Sequence, residues 1–474
     1  MPKHTFEYDV AVVGAGSAGY AAARTAAAAG LKTVVLEGGR KVGGLCMLRG
    51  CMPSKALLHA AEVLHMARTS SVLGLRIAKA GFDFKAVMGR KELLIDNFAQ
   101  YRHDELRSGK FAFLRANAAF VNAHTVSLTA AHRKDAKRIP AQISAKHFVI
   151  ATGSTIAPPS IPHLAEVGYL TSDDALSLER PPKSMIVLGG GPIAVELAQF
   201  YQRMDTKVTI IQRGEHLLRE FDIDAAEAVA KGLESEGIEL HRNTKILGAF
   251  CEGGKKGITF KQGQRTRRVT AEAILLATGR TPHTAGLGLE KIGVTLDYGR
   301  IVTDATMQTS QRHIYAAGDC ASPHEIVHIG IEQGETAAHN IARPRQLRRM
   351  DYRLLTMVVF TSPQAAIVGL TEKTAAARSI PFYAASYPFN DHGKSMIMCV
   401  KLGFVKLLAD PRSGEILGGA CVGPMGGELL HEIIAAMHKR MTVHELAAMP
   451  HYHPTLAEIW TYPAGELAER IAKK

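Results

Sequence analysis

Two cysteines separated by four residues, Cys46 and Cys51, lie in the segment GGLCMLRGCMPSKALL. Thiols so spaced can close and open a disulfide. Cys51 stands just ahead of a helical run from Pro53, where backbone N–H groups favour thiolate. A pair of buried core thiols is the plain alternative. Metal ligation is disfavoured, because no second compact Cys/His cluster accompanies the pair. Cys251, Cys320, Cys399 and Cys421 lie far apart and read as small buried or incidental thiols; six cysteines in 474 residues make no disulfide scaffold.

A second chemistry is carried by glycines. Gly14, Gly16 and Gly19 form G-x-G-x-x-G directly after an apolar strand and ahead of an Ala-rich helix. The first glycine permits the tight turn, the second admits a pyrophosphate to the backbone, and the third lets helix and strand pack closely. The helix N-terminus then offers N–H groups to the phosphates. Glu37 follows Gly19 by 18 residues, at the end of the next strand, where a carboxylate binds the hydroxyls of an adenosine ribose.

Gly189, Gly191 and Ala194 repeat the pattern as G-x-G-x-x-A. Counting 23 residues from the first glycine reaches Glu37 in the first case and Gln212 in the second, so the acid suited to a free ribose is missing. Arg213 and Arg219 follow; their forked donors suit a 2′-phosphate, with an ordinary solvated pair as the alternative. Asp319, after the strand-like IYAAG, reads either as a helix N-cap or as a further cofactor contact. His453 and Glu458, in MPHYHPTLAEIW, could move a proton, although their spacing alone fits a surface histidine as well.

These residues need two strand–turn–helix–strand units, and the sequence has them at residues 8 to 37 and 184 to 211. Between them, a helix is expected near Cys51, a longer one around Arg90 to Lys110, and short strands from Ala118 to Ile150. A helix from about Ile326 to Ile341 follows IYAAGDC. KLGFVKLLAD and GEILGGACV read as an antiparallel pair, with helical stretches from Glu428 and Val443. The expected organisation is α/β, with two Rossmann-like nucleotide-binding domains and a C-terminal α+β domain. Its boundaries are 1–155 and 280–347 for the first nucleotide-binding domain, 156–279 for the second, and 348–474 for the last.

Composition narrows the function classes. The chain is 46% hydrophobic, and its formal charge of +13 is spread without a basic tail. Short runs such as Lys255-Lys256 and Arg265 to Arg268 read as a solvated hairpin. With a single Trp there is no aromatic platform for nucleic acid. The first strand starts within ten residues of Met1, and no apolar run reaches about 18 residues, so a cytoplasmic protein without a membrane partner is expected.

The stretch Gly43 to Lys55, the two fingerprints, Gly318-Asp319 and the His-Pro-Thr-x-x-Glu motif at His453 to Glu458 together resemble the pyridine nucleotide–disulfide oxidoreductase family. That family of FAD enzymes includes dihydrolipoyl dehydrogenases, glutathione reductases and mercuric reductases, and the resemblance covers essentially the whole chain. Leu45 and Leu48 replace a usual Thr and a frequent Asn. The resemblance implies that Cys46 exchanges with substrate and Cys51 contacts the flavin. It places Lys55 near flavin N5, paired with Glu196. Ala151 to Ser154, with Thr152 and Gly153, and Ala277 to Arg280, with Gly279, match the family's two A-T-G-x stretches, and Gly318-Asp319 its second FAD fingerprint. Two arginines at the spacing of Arg213 and Arg219 mark NADPH-preferring members, and Pro192 stands where several relatives have a gating tyrosine.

The resemblance further implies that residues 348 to 474 form a homodimer interface, with His453 and Glu458 acting on Cys46 of the partner subunit and His451 beside them. The expected cofactors are FAD and NADPH, with NADH possible, no metal is expected, and the substrate is a small disulfide or other small acceptor. NAD-dependent dihydrolipoyl dehydrogenase, and an NAD(P)H:quinone or metal-ion reductase, are the alternatives. The chain ends without the paired cysteines of a mercuric reductase tail, which speaks against that activity.

Overall fold

In the computed structural model, residues 5–472 are described, and they form two compact units. The first comprises the described residues up to Pro53, Gly89–Pro158 and Gly279–Asp351; the second comprises Ser54–Met88, Pro159–Thr278 and the chain from Tyr352 onward.

The first unit is built on a parallel sheet whose strands run, in spatial order, Ala112–Leu114, Thr33–Leu36, Tyr8–Val13, Gln142–Ile150 and Ile314–Ala316. Both faces of this sheet are covered, one by helices and the other by residues such as Phe120, Val126 and Leu289, so its strands are apolar on both sides: Val10, Ala11, Val12, Val34 and Val35 are fully buried. The register levels the strand ends, pairing Val13 with both Leu36 and Ile150, and Ile150 with Ala316. Gly14, Glu37, Ala151 and Ala317 therefore leave the sheet along one edge, where open α/β sheets take their ligands. The Ala-rich run becomes the helix Ser17–Ala28, which packs on the helix Val327–Ala342. The approach is close enough that a Cβ at Gly334 would meet the Ala18 carbonyl oxygen at 2.2 Å. Small side chains are what that contact requires.

The second unit repeats the arrangement with parallel strands Glu239–His241, Lys207–Ile211, Ser184–Leu188 and Ala273–Leu276. The helix Pro192–Arg203 begins at the proline, whose fixed φ and missing N–H suit a first helical position. An antiparallel sheet, Thr244–Glu252, Lys255–Gln262 and Arg265–Ala271, contains the solvated hairpin, with Arg265 to Arg268 exposed. The C-terminal part is a five-stranded antiparallel sheet ordered Thr356–Val359, Gln364–Gly369, Ile416–Gly423, Phe404–Ala409 and Tyr383–Pro388. The helices Gly426–His438, Val443–Ala448 and Thr461–Ala472 share its core, in which Trp460 is fully buried.

One helix lies elsewhere than expected. The long helix runs Phe84–Leu106 and not from Arg90 to Lys110. The Asp83 carboxylate accepts from Ala86 N–H at 3.0 Å and starts it early, and Gly109 adopts φ +85° beyond its end.

Candidate active site

The first nucleotide turn is closed in one place and open in another. Gly14 has φ +104°, and a Cβ there would lie 2.3 Å from the Ala151 carbonyl oxygen. At Gly19 a Cβ would lie 1.9 Å from the Gly14 oxygen, whereas at Gly16 it would meet only the Gly44 Cα at 3.7 Å. The turn is thus locked at its ends and bare at its middle, the shape that a pyrophosphate group needs. Glu37 Oε2 accepts from Ala15 N–H at 2.9 Å and Oε1 from Gly39 N–H at 2.6 Å, which fixes the carboxylate beside the turn.

Across the same edge, the Ser154 hydroxyl donates to Asp319 at 2.7 Å, and Arg280 donates to the Ser154 hydroxyl and carbonyl, both at 2.9 Å. Asp319 is therefore an oriented carboxylate, not a cap for the following turn. Burial and the Asp319 charge push the neighbouring Glu325 carboxyl up. The Gly153 oxygen accepts from His283 N–H at 2.9 Å, and Thr152 Oγ1 donates to the His283 oxygen at 2.6 Å. Gly279 has φ +129°, and the Gly318 N–H donates to Gln333 at 2.8 Å. Gly14, Gly16, Gly19, Glu37, Thr152, Gly153, Arg280 and Asp319 thus belong to one edge of one sheet. A dinucleotide such as FAD fits them: glycines for the pyrophosphate, Glu37 for the adenosine ribose, Asp319 for hydroxyls further along.

The thiol segment rests on this turn. Gly43 and Gly44 have φ +142° and +73°, and a Cβ at Gly44 would lie 2.6 Å from the Gly16 Cα. Cys46 lies in the short helix Gly44–Arg49, and Cys51 is the first residue of the helix Cys51–Thr69; both are half-buried. Arg102 stacks on the Tyr20 ring at 4.0 Å, and Cys46 is among the groups acting on its charge. Burial holds the Arg102 guanidinium below its usual range, against the pull of Tyr20, Tyr101, Cys46 and Glu105. By contrast Cys320 and Cys421 are fully buried, and burial pushes both thiols up, as inert packing residues require.

In the second unit, Gly189 has φ +123° and a Cβ there would lie 2.3 Å from the Ala277 oxygen, while Gly191 faces nothing within 4 Å. Ala194 is fully buried against the sheet. Gln212 sits where an acid stands in the first unit, near enough that a Cβ at Gly190 would meet its Cδ at 2.9 Å. Arg213 and Arg219 are exposed, and Arg219 pairs with Glu220 at 2.8 Å. A second dinucleotide fits this turn as well.

The structure brings Lys55 and Glu196 together at 2.7 and 3.0 Å. Glu196 is only 4% exposed and also accepts from Phe360 N–H at 2.9 Å, while Lys55 lies 4.6 Å above the Phe360 ring. His453 Nδ1 lies 3.0 and 3.2 Å from the two Glu458 oxygens. His451 is pinned at both ends, by the Met449 carbonyl at 2.9 Å and Glu432 at 2.6 Å. Sequence reasoning missed Arg102, Phe360 and His392, the last a buried neighbour of Glu458. Nothing in local sequence marks them. Among the described residues there is no His/Cys/Asp/Glu group arranged to hold a metal ion, and no helix long and apolar enough to cross a membrane.

Two dinucleotide folds, a thiol pair and a histidine–glutamate pair describe a thiol-dependent redox enzyme. Comparison with known proteins makes the class specific. The model of the pyridine nucleotide-disulphide oxidoreductases matches residues 8–340, and that of their dimerisation domain matches residues 355–464. The chain is 34% identical over 456 residues to a dihydrolipoyl dehydrogenase of Thermus scotoductus, covering 95% of each protein. It is 31% identical over 455 residues to a mercuric reductase of Bacillus cereus, covering 96% of this chain and 70% of that protein. A leghemoglobin reductase of Vigna unguiculata is 30% identical over 457 residues, with 95% and 86% covered.

This chain belongs to the pyridine nucleotide-disulphide oxidoreductase family. Its general chemistry is that family's FAD- and NAD(P)H-dependent disulfide oxidoreduction, and its dimerisation domain is that of a homodimer.

Proposed function

We propose that the enzyme passes electrons from NADPH, by way of FAD, to a small disulfide or related electrophile through Cys46 and Cys51. The observation that carries the nucleotide choice is the second turn: a neutral Gln212 where the first turn has Glu37, followed by exposed Arg213 and Arg219. A 2′-phosphate is repelled by an acid and bound by guanidiniums. FAD, when bound, supplies two-electron transfer between the nicotinamide and the thiols.

The chain's own residues do the rest. Glu196, held by the Phe360 N–H, fixes the Lys55 ammonium. Cys51, at the start of its helix, is favoured as thiolate by the N–H groups there. Arg102 supplies positive charge toward Cys46. In the reductive direction the Cys46 thiolate attacks one sulfur of the substrate disulfide and the other sulfur leaves. His453, steadied by Glu458, gives that leaving thiolate its proton. Cys51 then attacks Cys46, closing the protein disulfide and releasing the second substrate thiol.

A second reading, NAD-dependent dihydrolipoyl dehydrogenase, is favoured by the end-to-end match with proteins of that name. Initial rates of dihydrolipoamide oxidation by the FAD-loaded enzyme, with NAD⁺ and NADP⁺ in parallel, separate the two. A rapid rate with NAD⁺ overturns the reading of Arg213 and Arg219. No turnover with either nucleotide, with the flavin still reduced by NADPH, leaves the NADPH-driven reductase. Quinone or metal-ion reduction that survives Cys46→Ser would move the acceptor site off the thiols.

A further inference from the structure

Glu458 serves two imidazoles. Its oxygens face His453 Nδ1 at 3.0 and 3.2 Å, and Oε1 also lies 3.2 Å from His392 Nε2. His392 precedes the short helix Gly393–Ile397, and its Nδ1 lies 2.8 Å from the Ser395 hydroxyl. His392 and Ser395 are fully buried and Glu458 is 9% exposed, whereas the His453 side chain is 77% exposed. Contacts therefore run from core to surface through Ser395, His392, Glu458 and His453.

Valence assigns the hydrogens. An ionised carboxylate only accepts, so His392 Nε2–H and His453 Nδ1–H both donate to Glu458. A neutral His392 with its hydrogen on Nε2 presents Nδ1 as an acceptor, which the Ser395 hydroxyl fills. His453 keeps Nε2 as its outward basic atom. Burial makes the inner hydrogen bond count for more than the same bond in water.

We propose that His392, held by Ser395, is a positioning residue for proton transfer: its donation to Glu458 fixes the carboxylate and draws negative charge away from His453. His453 then releases its proton more readily than it would beside a carboxylate it had to itself. The inference rests on the disulfide chemistry proposed above. Ionisable groups near the chain of contacts include Lys394, in the helix between His392 and Ser395, Tyr462, whose ring meets His392 edge-on at 6.1 Å, Tyr387 stacked on Tyr462 at 4.0 Å, and Asp391, which accepts from Tyr387 at 3.1 Å. They stay in place in each variant below.

The test uses the FAD-loaded full chain, ¹³C-labelled at histidine, with oxidised lipoamide as the probe disulfide. The His453 ring signal is assigned by its disappearance in His453→Gln. In His392→Leu, the His453 titration midpoint and the alkaline limb of kcat/KM for lipoamide both move up by about half a pH unit. His392→Gln, which returns a donor to the position of Nε2, reverses the shift, and Ser395→Ala shifts it less and in the same direction. An unmoved midpoint in His392→Leu, with turnover lost in His453→Gln, overturns the positioning role and keeps the disulfide reading. If His453→Gln leaves lipoamide turnover unchanged, the disulfide reading fails, and the titration midpoint alone decides whether His392 acts on His453. Should His392→Leu not fold, an unmoved midpoint in Ser395→Ala overturns the proposal.

Discussion

The two dinucleotide turns share one backbone solution and part company in the groups around it. In both, the first glycine sits 2.3 Å, measured from an added Cβ, from the carbonyl oxygen of an alanine that ends a neighbouring strand, Ala151 or Ala277. In both, the middle glycine is open. The first turn then receives Glu37 and the cysteine segment; the second receives Gln212, two exposed arginines and no thiol. The steric frame is generic to dinucleotides; in the function proposed above, the charges beside it choose which dinucleotide binds.

The largest effects come from breaking one frame at a time. Gly14→Ala forces a side chain into φ +104° and onto a carbonyl oxygen. The backbone conformation alone costs about 1–3 kcal/mol, roughly a five- to 150-fold loss in affinity. The purified protein should be colourless. Gly189→Ala should stay yellow, with flavin reduction by NADPH slowed in stopped flow. Flavin loss from both variants would mean that the turns are not independent.

Next in size is nucleotide choice. Hydrogen bonds to charged groups contribute about 1.5–3 kcal/mol each, so Arg213→Ala with Arg219→Ala should raise KM for NADPH at least tenfold and leave NADH unchanged. Gln212→Glu should act in the same direction. Equal changes for both nucleotides would dissolve the proposed difference between the turns. Smaller again is Arg102→Met, expected to slow alkylation of Cys46 by iodoacetamide several-fold at neutral pH by removing nearby positive charge. An unchanged rate would confine Arg102 to its stacking on Tyr20.

The last effect separates the two sheets by acid. His147, on the strand Gln142–Ile150, is pushed down to about 4, first by burial and then by Lys146, His313 and His124. The matching strand of the second sheet, Ala273–Leu276, has no titratable side chain. Between the ordinary histidine value of 6.5 and about 4, the unfolded chain holds a proton that the folded chain refuses. Stability therefore falls as pH falls through that window. Thermal midpoints of His147→Leu should decline less over it than those of the parent; parallel curves would assign the acid loss elsewhere.

The parts that sequence made legible are those set by short-range geometry. Gly14 and Gly189 announce their turns because only glycine takes those φ values cheaply, and the apolar strands beside them are unbroken runs. The Cys46–Cys51 spacing is likewise local. Phe360 reaches Glu196 from 164 positions away, His392 reaches Glu458 across 66, and Arg280 reaches Ser154 across 126. No periodicity links such pairs; the sheet order has to be known first. The long helix was displaced for a local reason of a different kind, since the cap at Asp83 precedes the stretch where the helical pattern is most evident.

The seat of Gly44 on Gly16 reaches beyond catalysis. Gly44 has no room for a side chain against the Gly16 Cα, so the segment that carries the thiols can rest on the nucleotide turn only through a glycine. A designer wishing to move the thiols to a new scaffold would have to carry the nucleotide turn along with them.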